Sequence, residues 1–374
     1  MHLFLFDIFI SVDILCPIIN ALNKKKKILV YSVNPIQNFQ NDALFKFVKN
    51  NNVTYRGFLP VNQNKKIIYF LLFLLKLLPN IFQKKIQFIW SFIYRNITFS
   101  DEKKIKKILL ENQIKSITYE EGTPPNYIKL FLTPCKLLNI PIIKVPSGVH
   151  VVSPLNLKKD ILSLCDYYIA PSFIFKKKKL FKNKKIKYFG SLRYSNFWID
   201  KLDKLYSVKI SRKKQKVKLG IFSKQQAKEH EKLQILINKL KKTDYFDIKT
   251  REKPRDLNPL KFAKFHNDEL NSHQMINWAD YILSARSTSV LIHAIMKKKK
   301  IFLLKYLYDE KKYSNLYKYK FIIKIDNESQ ITELINKKVK ILNKDRIKCL
   351  KEALVNYQKD YMMLRLYNNF YSNL

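Results

Sequence analysis

The segment from Ala279 to Leu307, ADYILSARSTSVLIHAIMKKKKIFLLKYL, carries the residues best spaced for chemistry. An apolar run, Tyr281 to Leu283, breaks into a polar cluster of Ser284, Arg286, Ser287, Thr288 and Ser289. Helical spacing follows, then a second apolar run from Ile301 to Leu304. The pattern predicts strand, loop, helix and parallel strand. Where such a helix begins, the first amides lack partners and the dipole is positive, so hydroxyls and an arginine there suit a phosphate. Each hydrogen bond to a charged group contributes about 1.5 to 3 kcal/mol, and two or three would give micromolar recognition of a diphosphate. The plainer alternative is that Ser287 or Thr288 only caps the helix.

Four other constellations fall at expected strand ends. TYEEGTPP, Thr118 to Pro125, places Glu120 and Glu121 before a glycine turn and a proline-led helix start. Burial raises a carboxyl pKa toward the range of a general base, which makes Glu121 a catalytic candidate; complementing the helix dipole is the alternative. KVPSGVHVV, Lys144 to Val152, offers His150 for proton transfer near neutral pH, against a purely structural histidine. YFGSLRYSNFW, Tyr188 to Trp198, offers Arg193, which can fork onto a phosphate or pair with Asp200 or Asp203. IKTREKPRD, Ile248 to Asp256, adds Arg251 and Arg255 as phosphate ligands.

Composition bounds the rest. The chain has 374 residues and a formal net charge of +43, and that length favours two domains. Such charge suggests nucleic acid or an anionic membrane. Yet 63 of the 72 basic residues are lysine, nine are arginine, and glycines number five. That is the mark of an AT-rich coding bias, so much of the charge reads as drift, and the surviving arginines and glycines mark positions that lysine or asparagine cannot fill. No nucleic-acid motif is present, and no specific nucleic-acid partner is expected. Cys16, Cys135, Cys165 and Cys349 are widely spaced without a CxxC pair, which predicts reduced thiols, no structural metal and a cytoplasmic setting. The amino terminus is apolar but carries Asp7 and Asp13 and no basic start; it reads as a buried strand and helix rather than a signal peptide. The run Ile67 to Leu78 is shorter than the roughly 20 residues of a membrane span. With Lys65, Lys66, Lys76, Lys84 and Lys85 it reads either as a core helix or as a peripheral contact on an anionic membrane.

Alternating strand and helix patterns predict an α/β fold of two Rossmann-like, doubly wound parallel-sheet domains facing across a cleft, where ligands bind. The expected division is a first domain over residues 1–195, a linker over 196–215, a second domain over 216–344, and a carboxyl-terminal helix over 345–374 packing back on the first domain. The last segment reads as one long helix or as two broken near Tyr361.

The order of basic strand-end loop, helix, strand, serine-rich loop and helix resembles the donor half of GT-B glycosyltransferases. Bacterial capsule and surface-polysaccharide enzymes, CDP-glycerol glycerophosphotransferases and sugar-nucleotide 2-epimerases are the most similar. Ser287, Thr288 and Ser289 match the hydroxyl loop of that group, Ala294 its alanine, and Lys253, Pro254 and Arg255 part of its basic loop. His293 stands where a glutamate usually holds the donor ribose, Lys298 and Lys300 replace a glycine and a proline, and Ser147 replaces a histidine. The resemblance implies transfer of a sugar or polyol phosphate from a nucleotide-activated donor to a glycan or lipid-linked acceptor, with no cofactor and no metal. Arg193, Arg251, Arg255, Arg286, Ser287, Thr288, Ser289 and His293 would bind the donor, with Glu121 or His150 as base. The alternatives are a sugar-nucleotide 2-epimerase and a non-catalytic or polyanion-binding protein, the latter supported by His293.

Overall fold

The computed structural model describes residues 1–7, 9–34, 39–59, 102–148, 164–172, 185–207, 216–222, 227–251, 270–284, 290–307, 319–327, 329–336 and 343–374. The run at 67–78 with its lysines and the site residues His150, Arg255, Arg286, Ser287, Thr288 and Ser289 lie outside them.

The first domain builds one sheet. β1 (His2–Phe6), α1 (Phe9–Leu22), β2 (Ile28–Ser32), α2 (Ala43–Val48), β3 (Val53–Phe58), α3 (Glu102–Glu111), β4 (Ser116–Glu120), α4 (Pro125–Leu137), β5 (Ile142–Val145), β6 (Tyr167–Ile169) and β7 (Ile186–Lys187) follow in chain order. The seven strands are all parallel, in the order β3-β2-β1-β4-β5-β6-β7. Strand side chains alternate between faces, and here both faces are covered. Leu3 and Leu5 of β1 join a core with Tyr119, Ile128 and Phe131, while Phe4 and Phe6 join another with Ile19, Phe45 and Trp198. That double burial is why β1 reads as an unbroken apolar run.

The second domain contains β8 (Val217–Phe222), α6 (Ala227–Lys242), β9 (Phe246–Arg251), α7 (Ser272–Trp278), β10 (Tyr281–Ser284), α8 (Val290–Met296), β11 (Lys300–Leu304), β12 (Ile322–Ile325) and α9 (Ser329–Asn336), with α5 (Asn196–Leu205) before it. Its five strands are parallel in the order β12-β11-β10-β8-β9. β12 and α9 go beyond the expected series, which ended at Leu304.

The stretch read as a linker begins with a folded element. The Ser195 hydroxyl accepts from the Trp198 amide, the Asp360 carboxylate accepts from the Phe197 amide, and Trp198 and Ile199 are buried, so α5 forms and packs. Leu202 and Leu205 pack against the same core; the charged residues between them and after the helix hide this apolar spacing in the sequence. At the carboxyl end the two-helix alternative holds, with α10 (Asn343–Ala353) and α11 (Asp360–Ser372). α10 places Cys349, Leu350 and Ala353 in the second domain's core, and α11 places Met363, Tyr367 and Tyr371 in the first domain's. The Tyr371 hydroxyl lies 2.8 Å from that of Thr118, and Tyr367 donates to the Gly190 carbonyl at 2.9 Å. Asn356 and Gln358 take positive φ in the turn between these helices. Gly190 explains its own survival: its φ is +90°, and a Cβ there would lie 2.3 Å from the Val355 carbonyl oxygen.

Candidate active site at the domain junction

Parallel strands put their carboxyl ends on one edge, so the segments leaving β1, β4, β7 and β9 gather the polar residues. α1 leaves β1 and carries Ser11 and Asp13. β4 ends on Glu120. The turn Leu192–Tyr194 after β7 carries Arg193, and β9 ends on Arg251.

Glu120 and Glu121 diverge. Glu120 is fully buried; its Oε1 accepts from the Gly122 amide at 2.7 Å, and the Ser11 hydroxyl lies 3.5 Å from Oε2. The Glu120 charge also helps hold the Arg193 guanidinium protonated. Glu121 belongs with Lys144, Tyr168 and Cys165, and burial raises its pKa against the opposing pull of Lys144 and the Ser147 backbone. Glu121 is therefore a carboxyl tuned upward, as general base chemistry requires, while Glu120 is tied to the arginine.

Arg193 does not pair with Asp200 or Asp203. Its Nη2 lies 3.3 Å from Asp13 Oδ2, with the Tyr194 ring 5.5 Å from the guanidinium carbon. Burial works against its charge, but Tyr194, Asp13 and Glu120 outweigh it and raise the pKa. Nη1 is buried and has no hydrogen-bond partner among the described residues. Asp13 keeps 50% of its side chain exposed. The surrounding atoms nonetheless raise its pKa, as does Asp42, while Arg193 and Arg251 lower it. Arg251, from the second domain, acts on this carboxyl only through its charge and is fixed by hydrogen bonds from Nε to the Ser272 hydroxyl at 3.0 Å and from Nη1 to the Leu270 carbonyl at 2.6 Å. Sequence reasoning passed over Asp13 as a catalytic group. The available signal was an acid inside an apolar helix directly after the first strand.

His293 belongs to a neighbouring cluster. A capping box between Asn271 and Gln274 starts α7 and orients His273 and Asn277, four residues apart on one face. On α8, His293 and Lys297 repeat that spacing. Asp203 of α5 receives the group: Nε2 of His273 lies 2.8 Å from Oδ1, Asn277 donates to Oδ1 at 2.7 Å, and Lys297 donates to Oδ2. The His273 and His293 rings lie 4.7 Å apart. Burial is the main cause that lowers both histidine pKa values, strongly for His293, to which His273, Lys297 and Arg193 add. His293 is thus a neutral ring within the field of Arg193, and its Nε2 is buried without a partner among the described residues.

No protein-family model and no curated protein sequence matches the chain. Solved structures do. S. aureus MnaA in complex with UDP is 11% identical, with 100% of this chain and 98% of that chain covered at a TM-score of 0.58. A UDP-N-acetylglucosamine 2-epimerase of Listeria monocytogenes, described there as putative, is 9% identical, with 100% and 96% covered at 0.61. The glycotransferase of kitacinnamycin is 9% identical, with 100% and 99% covered at 0.57. The fold is of the GT-B type. Its carboxyl-terminal helices tie the two domains together, α10 in the second core and α11 in the first.

Proposed function

We propose that this protein uses a nucleotide-activated sugar, or polyol phosphate, and transfers it to a glycan or lipid-linked acceptor of the surface-polysaccharide kind. The observation that carries this reading is Arg193, set at the junction against Asp13 with its Nη1 buried and unpartnered among the described residues, while Arg251 of the second domain acts electrostatically on the same carboxyl. Cations from both sides of a cleft suit a diphosphate that bridges the domains.

In the reaction the acceptor hydroxyl gives its proton to a carboxylate, its oxygen forms a bond to the sugar's anomeric carbon, and the bond from that carbon to the diphosphate breaks. The electron pair leaves on the phosphate oxygen, where Arg193 and Arg251 stabilise it in the transition state. Asp13 and Glu121 are the described carboxyls raised toward the role of base; His150 remains a candidate from sequence. Arg255, Arg286 and the hydroxyls of Ser287, Thr288 and Ser289 complete the proposed donor site, with neutral His293 facing the ribose as a hydrogen-bonding group in place of a carboxylate.

Epimerisation of the sugar is the second reading, supported by the likeness to MnaA with UDP and to the Listeria monocytogenes 2-epimerase. A peripheral membrane contact through the lysine-flanked run at 67–78 is a further part of the proposal; no described helix is long and apolar enough to cross a membrane, and flotation with anionic liposomes at physiological salt tests for docking. For the site, thermal stabilisation across UDP, GDP, CDP and CMP in moderate salt tests donor binding; a selective shift for one base supports it. A flat response from folded protein returns the weight to the non-catalytic reading. Incubation with UDP-N-acetylglucosamine in deuterated water separates the two chemistries, since an epimerase that exchanges the C2 proton leaves deuterium there and a transferase does not.

A further inference from the structure

Arg193 is half used. One prong of its fork touches Asp13 at 3.3 Å, and the other, Nη1, is buried without a hydrogen-bond partner among the described residues. A guanidinium binds best when both prongs meet one anion, and a single long contact to a carboxylate that is 50% exposed is a weak claim on it. Arg251 does not depend on Asp13 for its position, because Ser272 and Leu270 hold it. The Arg193 charge is kept by Glu120 as well as by Asp13, so it survives a change of partner.

We propose that Asp13 is an internal stand-in for the donor's diphosphate: in the resting protein it occupies Arg193, and donor binding exchanges the carboxylate for phosphate oxygens and thereby frees Asp13 to accept a proton. The proposal rests on the sugar-nucleotide reading and adds a coupling between donor binding and base activation. In the exchange the Nη–H contact to Asp13 is lost and contacts from both prongs to phosphate are gained. Asp13, without its arginine, then faces Asp42, Tyr206 and Cys16, with Arg251 shared with the diphosphate. Its affinity for a proton, already raised in the empty site, rises further once the donor is in place.

The test is calorimetric titration with UDP, GDP and CDP of the wild type, Asp13→Asn and the double variant Asp13→Asn with Arg193→Gln. Removing a competing internal anion should tighten diphosphate binding about 3- to 10-fold in Asp13→Asn, and the gain should vanish in the double variant. The wild type, titrated near pH 6 with the sugar conjugate of whichever base binds, in buffers of different ionisation enthalpy, should take up a proton that Asp13→Asn does not. The conjugate's diphosphate has no titrating group in that range, so the proton belongs to the protein. Unchanged or weaker binding by Asp13→Asn, with no proton uptake in the wild type, overturns the exchange and leaves the sugar-nucleotide reading intact. Absence of binding by all three diphosphates to the wild type overturns both.

Discussion

Asp13 and Asp203 both stand at the domain junction, and their surroundings treat them in opposite ways. Asp203 receives His273, Asn277 and Lys297, and although burial alone would raise its pKa, the hydrogen bonds from Lys297 and Asn277 bring it below the ordinary value. Asp13 has one arginine at 3.3 Å, a like charge in Asp42, and a raised pKa. The first arrangement fixes α5 to α7 and α8 and leaves the carboxylate nothing else to do. The second keeps a carboxyl accessible, basic and incompletely paired, the condition of a group that reacts. Burial and charge are present at both; the number of donors aimed at the carboxylate separates structural from chemical use.

The comparison can be broken by mutation. Asp13→Asn should lower turnover of the sugar nucleotide by about 100-fold or more while leaving the unfolding midpoint nearly unchanged; steady-state assay and urea denaturation of the same sample decide this. Asp203→Ala should do the reverse, costing about 1 to 3 kcal/mol because the buried His273 ring and Lys297 lose their acceptor. If Asp203→Ala abolishes turnover without loss of stability, the division between the two carboxylates fails.

Acid should find the Asp203 side first. Burial, the largest cause, lowers the pKa values of His273 and His293 below their unfolded value. The unfolded chain therefore binds more protons as pH falls below about 6.5, and stability that is complete above that pH is lost on acidification. His2, lowered to about 4 mainly by burial, adds in the same direction. Denaturant melts at the two pH values should show the slope, and His293→Gln should remove its share. The smallest effect is expected at the returning helix: Tyr371→Phe removes the contact to Thr118 and should cost about 1 kcal/mol, with turnover unchanged, as a thermal melt and the same assay would show.

Much of the frame was legible before any coordinate. The apolar start of the chain and the run Ile301 to Leu304 read as buried strands and are β1 and β11, and the alternation with helices pointed to parallel sheets. Gly190 and Arg193 were flagged because a lysine-rich composition had left them in place, and the structure supplies the reasons: a positive φ against the Val355 carbonyl, and a guanidinium at the junction. α5 was missed because its stability comes from Trp198, Ile199 and a cap given by Asp360, more than 150 residues away in sequence. β12 was missed because a short strand at the end of a sheet has little periodicity to show.

Sequence by itself determined the alternation of strands and helices, the two-sheet architecture and the kinds of residue at the strand ends, since these depend on local periodicity and on which side chains must leave water. Tertiary structure alone decided that Arg193 meets Asp13 rather than Asp200 or Asp203, that Glu120 and Glu121 serve different surroundings, and that His293 lies against His273 with the rings tilted. Those pairings join residues up to 180 positions apart. Their partners are chosen by how the sheets and helices pack, and no spacing along the chain encodes that choice.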